Sequence, residues 1–167
     1  PTDCLLGGLN RGWSVANTTL AHERGTTFPF KEQVVHEVYL NELYALAEEL
    51  GTLEDIEVAD ALAEAAVKLR VLRLHNWRTL SRLTHGEEPG PESSIVKLTW
   101  ADMTQTLSDA ALLVLESASP LWGDATGNPM DGKWQRQWLW SKAATIAGGT
   151  SEIQRTIIGD RILGLPR

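Results

Sequence analysis

Apolar residues recur along this chain at intervals of three and four, the spacing that keeps side chains on one face of an α-helix. Val35, Tyr39, Leu43, Leu46 and Leu50 step by four, four, three and four. Pro29 lies upstream of this stretch, so a kink or break is expected near residues 25–31. Gly51 follows it as a C-terminal cap. Thr52 and, three residues on, Asp55 resemble a capping box that announces a second helix reaching to about Leu83. Within it Leu62, Ala65, Leu69, Leu72, Asn76, Leu80 and Leu83 form a stripe of near-heptad spacing that needs another helix against it. At ~1.5 Å per residue such a helix is roughly 40 Å long. HGEEPGPE (85–92) is a loop, with Pro91 placed to start the following helix. Val96, Trp100, Met103, Leu107, Ala110 and Val114 make a third stripe.

SASPLWGDATGNPMDG (117–132) is expected to be a long loop, of the kind that is functional or mobile in compact domains. Two short helices should finish the chain, near 133–145 and 150–162, divided by Gly148 and Gly149. At the other end residues 1–9 look extended, and Asn10 or Gly12 can open a helix entering through Trp13 and Val15. No hairpin signal, internal repeat or low-complexity tract is present. The pattern predicts an all-α fold, an antiparallel helical bundle.

The chain has 167 residues, 43% of them hydrophobic, enough for one domain with a core. Its net charge of -7 argues against nucleic-acid binding, which needs a basic face. Cys4 is the single cysteine, which leaves no disulfide framework or thiolate metal site and fits a reducing cytoplasm. No apolar run reaches the ~18 residues of a membrane span, and no signal peptide opens the chain. Pro1 stands where an initiating Met would, as expected of a piece of something longer.

Two segments carry a resemblance. AGGTSEIQRTIIGDRILGLPR (147–167) resembles the C-terminal signature of acyl-CoA dehydrogenases, and LLGGLNRGWSVANTTLAHERG (5–25) resembles the junction where that family's β-domain feeds its C-terminal bundle. Their order and distance match the family, so the resemblance spans essentially the whole chain. It implies that residues 1–10 end a preceding β-domain or linker and that residues 11–167 form the helical bundle.

The family uses flavin adenine dinucleotide (FAD) to desaturate acyl-CoA thioesters between the α and β carbons. A carboxylate takes the α proton while hydride leaves the β carbon for the flavin. A carboxylate suits this role because a site that excludes water raises its basicity. Many members place the base immediately before the Gly-Thr-Ser of the terminal motif, where this chain has Gly148. Others, similar to the long-chain and isovaleryl branches, carry it on the first bundle helix before an Arg. Glu23 before Arg24 fits that reciprocal pattern. The resemblance therefore implies Glu23 as the catalytic base and Arg24 as a residue that binds or orients the acyl-CoA substrate. The alternative is a solvated Glu-Arg pair on a helix face. Gly149, Thr150, Ser151 and Glu152 match the family turn that touches the flavin nucleotide, and a Gly-Thr turn opening a helix presents free backbone N–H groups. The alternative there is a simple N-cap by Thr150. Gln154 and Arg155 are read as helix packing and interface.

Two family elements are missing. LYALAEELGTLEDIEVAD (43–60) holds no Arg-x-x-Phe-Gly segment, and LVLESASPLWGDATG (113–127) holds no Gln-x-x-Gly-Gly segment. Both contribute to flavin binding in typical members. The departures resemble divergent bacterial subunits, often of actinobacterial type, that work as heteromers. The resemblance thus implies FAD as cofactor, a homo- or hetero-oligomer with another acyl-CoA dehydrogenase-like chain, and electron-transfer flavoprotein or a similar acceptor. Fatty-acyl or steroid side-chain thioesters are the implied substrates, with a non-catalytic assembly subunit as the alternative. The domain alone is expected to be inactive and colourless and to self-associate.

The remaining candidates have plainer readings. His22, His36, His75 and His85 lack metal-ligand spacing and are expected to be structural or exposed. Lys68, Arg70, Arg73, Arg78 and Arg82 read as a solvated face paired with acidic neighbours, or as a contact to CoA phosphate or a partner subunit. Seven tryptophans are many for this length, and Trp134, Trp138 and Trp140 share one short helix, suited to core packing or subunit contact.

Overall fold

The computed structural model describes residues 2–25, 28–87 and 90–166, without the side chains of residues 2, 21–24 and 28. Among the described residues six α-helices follow one another: α1 (Gly12–Gly25), α2 (Phe28–Leu50), α3 (Ile56–Thr84), α4 (Ser93–Leu115), α5 (Lys133–Ser141) and α6 (Ser151–Ile157). Short 3-10 turns join them, and a π-helical turn over Ile158–Ile162 extends α6. No strand occurs among the described residues, so the all-α expectation holds.

The bundle is organised around α4. Thirteen of its 23 residues are buried, including the whole expected stripe of Val96, Trp100, Met103, Leu107, Ala110 and Val114. One face meets α2 and α3, and the other meets α5 and α6. Leu43, Leu62, Leu72, Met103, Leu107 and Trp134 form the innermost layer, each at most 1% exposed. Burying a side chain of this size stabilises by about 1.5–3 kcal/mol.

The stripes of α2 and α3 need small corrections. On α2 the buried line is His36, Leu40, Leu43, Leu46 and Ala47, while Leu50 is exposed and Val35 and Tyr39 are only half-buried. The buried face is rotated because a polar residue, His36, belongs to it. Its Nδ1–H donates to the Glu32 carbonyl at 2.7 Å, which leaves Nε2 to accept from the Thr104 hydroxyl at 3.1 Å. On α3 the stripe holds from Leu62 to Asn76. Leu80 is exposed, because α3 is 29 residues long, outruns the 23-residue α4 and leaves the bundle at its C-terminal end.

The helix boundaries follow local chemistry. The expected break around Pro29 is present, since α1 ends at Gly25 and α2 starts at Phe28 with Pro29 in its first turn. That is where a missing N–H costs nothing. Gly51 ends α2 with φ 74°, as expected of a C-terminal cap. Thr52, however, is not the N-cap of α3. Asp55 is, accepting from the Glu57 N–H at 2.7 Å. Thr52 lies in a 3-10 turn, and its hydroxyl donates to the Val114 carbonyl at 3.3 Å, tying the α2–α3 connection to the end of α4. Pro91 likewise precedes α4 in a turn and does not start it; α4 begins at Ser93. Residues 2–9, expected to be extended, contain a 3-10 turn over Thr2–Cys4 and a bend.

The loop between α4 and α5 is held by side-chain amides. Asn128 Nδ2 donates to the Gly123 carbonyl at 2.8 Å, and Gln135 Nε2 donates to the Ala118 carbonyl and to Asn128 Oδ1. The two predicted terminal helices appear as α5 with a 3-10 extension over Lys142–Thr145, and α6 with its π turn.

Candidate functional site

The terminal motif folds into a tight turn seated on α4. Gly148 and Gly149 both take positive φ, 66° and 99°, conformations that cost a residue with a Cβ roughly 1–3 kcal/mol. Thr150 then enters extended backbone and caps α6, its Oγ1 accepting the Ile153 N–H at 3.4 Å. Thr150 is therefore the N-cap of α6.

Gln154 holds this turn from beneath. It is fully buried, and its Nε2 donates to the Gly148 carbonyl at 2.9 Å and the Gly149 carbonyl at 3.2 Å. A Cβ on Gly149 would lie only 2.8 Å from that nitrogen, so the second glycine is required by space as well as by φ. Gln154 Oε1 is buried without a hydrogen-bond partner. The sequence reading assigned Gln154 to packing and interface. It is instead an internal tie that shapes the turn, and its place inside the terminal motif was the available signal.

Charge gathers at the turn. Lys97 on α4 is buried, and its Cε lies 4.0 Å from where a Cβ of Gly148 would stand. Nothing in the sequence pattern singled out this lysine, because it sits within the third stripe as one polar residue among apolar ones. Glu152 is exposed at the first turn of α6. Its own backbone N–H, then the Thr150 hydroxyl, hold its carboxyl below the usual range, with Arg155 and Lys97 adding to the effect. The Arg155–Glu152 pair, at 3.8 Å on the surface, adds little to stability. Ser151 is half-buried beside them.

Glu23 and Arg24 belong to the last turns of α1, which touches α2 and α4. Their side chains lie outside the described residues, as does that of His22. α4 is thus the common support of the helix that carries the Glu-Arg pair and of the glycine turn. Among the described residues no group of three or more His, Cys, Asp or Glu converges on one point.

The other sequence candidates resolve into packing and ion pairs. His36 is the buried structural histidine described above. Lys68 pairs with Glu64 and Asp102 at 2.9 and 3.0 Å, Arg73 with Glu37 at 3.6 Å, and Arg82 with Glu87 and Glu92 at 2.6 and 2.7 Å. This favours the solvated, paired reading of the basic face. Trp134 is core, Trp138 donates to Asp109 Oδ1 at 2.7 Å, and Trp140 is exposed.

With this geometry in hand, comparison with known proteins is decisive. Residues 10–163 match the family model for the acyl-CoA dehydrogenase C-terminal domain. The chain belongs to the acyl-CoA dehydrogenase family. It is 34% identical to the acyl-CoA dehydrogenase IpdE1 of Mycobacterium tuberculosis, over 99% of this chain and 41% of that protein. It is 29% identical to the acyl-CoA dehydrogenase FadE34 of the same organism, over all of this chain and 22% of that one. The chain therefore spans about two fifths or less of these curated relatives. Among solved structures, the ChsE4-ChsE5 complex from Mycobacterium tuberculosis superposes with TM-score 0.77 at 28% identity, covering 96% of this chain and 42% of that one. The Tcur3481-Tcur3483 steroid acyl-CoA dehydrogenase superposes with TM-score 0.82 at 24% identity, covering 96% and 41%, a likeness of fold.

Proposed function

We propose that this chain is the C-terminal bundle of a flavin-dependent enzyme that desaturates a fatty-acyl or steroid side-chain CoA thioester between its α and β carbons. The observation that carries the reading is the family match over residues 10–163 together with the reciprocal pair of Glu23-Arg24 on α1 and Gly148 at the terminal turn. Residues 11–167 are the bundle, and residues 1–10 are the end of a preceding β-domain or linker.

In this reading the Glu23 carboxylate takes the α proton, and the Arg24 guanidinium orients the substrate and balances charge. Gly148 supports the assignment on conformational grounds. A Glu there would have to adopt φ 66° with Lys97 beneath its Cβ, so a carboxylate at that position would be strained and drawn to an ammonium.

The glycine turn fits a polar cofactor contact. It offers positive-φ backbone with no Cβ to block approach, and a buried amide oxygen, Gln154 Oε1, that lacks a partner. Gly149, Thr150, Ser151 and Glu152 would hold the nucleotide part of FAD. When bound, the flavin supplies the hydride acceptor. The chain's own part is to keep the turn in shape through Gln154 and α4. Electron-transfer flavoprotein or a similar carrier would then take the electrons.

The missing Arg-x-x-Phe-Gly and Gln-x-x-Gly-Gly segments favour assembly with a second acyl-CoA dehydrogenase-like chain that supplies further flavin contacts. Two relatives of known structure are described as two-component assemblies, ChsE4-ChsE5 and Tcur3481-Tcur3483. The same departures give a second reading its footing, a non-catalytic assembly subunit. A cytoplasmic setting suits either; among the described residues no helix is long and apolar enough to cross a membrane.

The deciding experiment uses the complete parent protein, expressed alone and with its dehydrogenase-like partner, with flavin absorbance followed during anaerobic addition of acyl-CoA thioesters. Bleaching that Glu23→Gln abolishes is the expected result. Bleaching indifferent to Glu23→Gln would move the base elsewhere, and absence of flavin in every combination would leave the assembly subunit.

A further inference from the structure

Among the described residues Lys97 is the only buried lysine or arginine, 6% exposed on a helix whose other buried positions are apolar or neutral. Moving an ammonium into such a place is costly unless negative charge or several acceptors receive it. A methionine would fill the same space without that cost, so it is the charge, not the packing, that distinguishes this residue.

Its position in the fold brings that charge to the two segments singled out above. α2 and α4 run parallel, as the contacts of His36 with Thr104 and of Thr52, just past the end of α2, with Val114 require. Seven residues earlier on each helix, about 10 Å along its axis, stand Pro29 and Lys97. α3 fixes the same register independently. Asn76 donates to the Pro29 carbonyl at 3.0 Å, while His75 and Thr79 beside it line one small cavity with Ile95 and Val96. The start of α2 is therefore level with Lys97. α1 ends four residues before Pro29 and packs on both α2 and α4, so its last turn, which carries Glu23 and Arg24, meets the bundle at this height. From the other side the glycine turn closes over Lys97, whose Cε stands 4.0 Å from a Cβ at Gly148. The charge reaches beyond the turn, where it helps to lower the Glu152 carboxyl.

The other charges at this end of the bundle have engagements of their own. Arg155 stands against Glu152, Arg82 against Glu87 and Glu92, and Glu32 against His36. Arg78 acts on His75, Lys31 is exposed, and His22 and Arg24 flank Glu23 in sequence.

We infer that Lys97 is a positioning residue for the reaction: its ammonium, beneath the junction of α1 and the glycine turn, keeps the Glu23 carboxylate ionised in a site that excludes water. The inference rests on Glu23 being the base. Enclosure alone would push that carboxyl upward and leave it protonated, unable to accept the α proton near neutral pH, and a cation at the junction opposes the shift.

Two measurements test it. In the 167-residue chain with carbon-13 in its glutamate carboxyls, the Glu23 signal is assigned by its loss in Glu23→Gln. Lys97→Met, which keeps the length and the apolar stem, should move the Glu23 titration up by about one pH unit, and Lys97→Gln should do the same. Unchanged helical circular dichroism excludes loss of fold as the cause. In the complete parent protein with its dehydrogenase-like partner, the acid limb of the rate at which acyl-CoA bleaches the flavin should move up as well, with the rate recovered at higher pH. A lysine that only packed the core would leave both where they are. A Glu23 titration indifferent to both substitutions would overturn the inference, as would an unmoved acid limb in an enzyme that Glu23→Gln inactivates. Bleaching that survives Glu23→Gln would remove the base, and the inference with it, even beside a shifted titration.

Discussion

α4 and the glycine turn that rests on it are anchored in opposite ways. α4 is held by area: it touches the five other helices, and many weak apolar contacts share the load. The turn is held by a few directed groups, two glycines at positive φ, the Thr150 cap and the amide of Gln154 bonded to two successive carbonyls. Distributed contacts make α4 the source of stability. Directed ones fix the path of the backbone within a narrow range while contributing little area, which suits a segment meant to meet a ligand.

The largest expected effect breaks the first half of that contrast. Leu107 is 1% exposed at the middle of α4. Leu107→Ala should cost about 2–5 kcal/mol, the lost transfer energy plus the cavity left behind. A urea titration monitored by helical circular dichroism should show the midpoint falling with the slope unchanged. A loss below about 1 kcal/mol would mean that the core closes around the gap and that α4 is less central than its burial implies.

How far each region was legible in the sequence follows the same division. Every residue of the third stripe is buried on α4, although a helix packed on two sides also buries residues outside the stripe, Ser94, Lys97, Thr104 and Ser108 among them. On α2 the pattern was off by one position because it left out His36, whose burial is offset by hydrogen bonds to Glu32 and Thr104 that no periodicity reveals. Thr52 looked like a cap by spacing, yet its hydroxyl goes to Val114, 62 residues away, a contact only the tertiary fold supplies. The glycine turn had no periodic signal at all. Its residues are legible only through resemblance to a family motif, because positive φ at Gly148 and Gly149 and the Gln154 bonds leave no mark on periodicity. Lys97 escaped both routes.

A pair of alanine substitutions sharpens the second half of the contrast. Gly148→Ala meets open space apart from Lys97 Cε at 4.0 Å, so it carries only the backbone penalty of φ 66°, about 1 kcal/mol. Gly149→Ala adds a 2.8 Å contact with Gln154 Nε2 at φ 99°, and should cost about 2–3 kcal/mol. Native-state hydrogen exchange should show the Gly149→Ala loss concentrated in the Ile153 and Gln154 amides of α6, with the α4 core amides nearly unchanged. Equal losses at the two glycines would remove the role assigned to Gln154.

The smallest effect concerns a polar cluster inside the distributed core, His36 with Thr104. Burial lowers the His36 pKa from its ordinary 6.5, against the opposing pull of the Glu32 carbonyl and carboxylate. His75 shifts the same way, through burial and then Arg78. With the folded value below the unfolded one, the unfolded chain binds more protons as pH falls through 6.5, so stability is full above that point and declines beneath it. Glu92 and Glu152, whose carboxyls are held below their ordinary 4.5, lose their contribution only further down, which separates the two windows. The urea midpoint should therefore fall between pH 7 and pH 5. His36→Gln, whose amide can still donate to Glu32, should remove much of that slope while leaving the part due to His75. An unchanged slope would place the titrating group elsewhere and mean that the buried pair of His36 and Thr104 takes up a proton as readily in the fold as in the open chain.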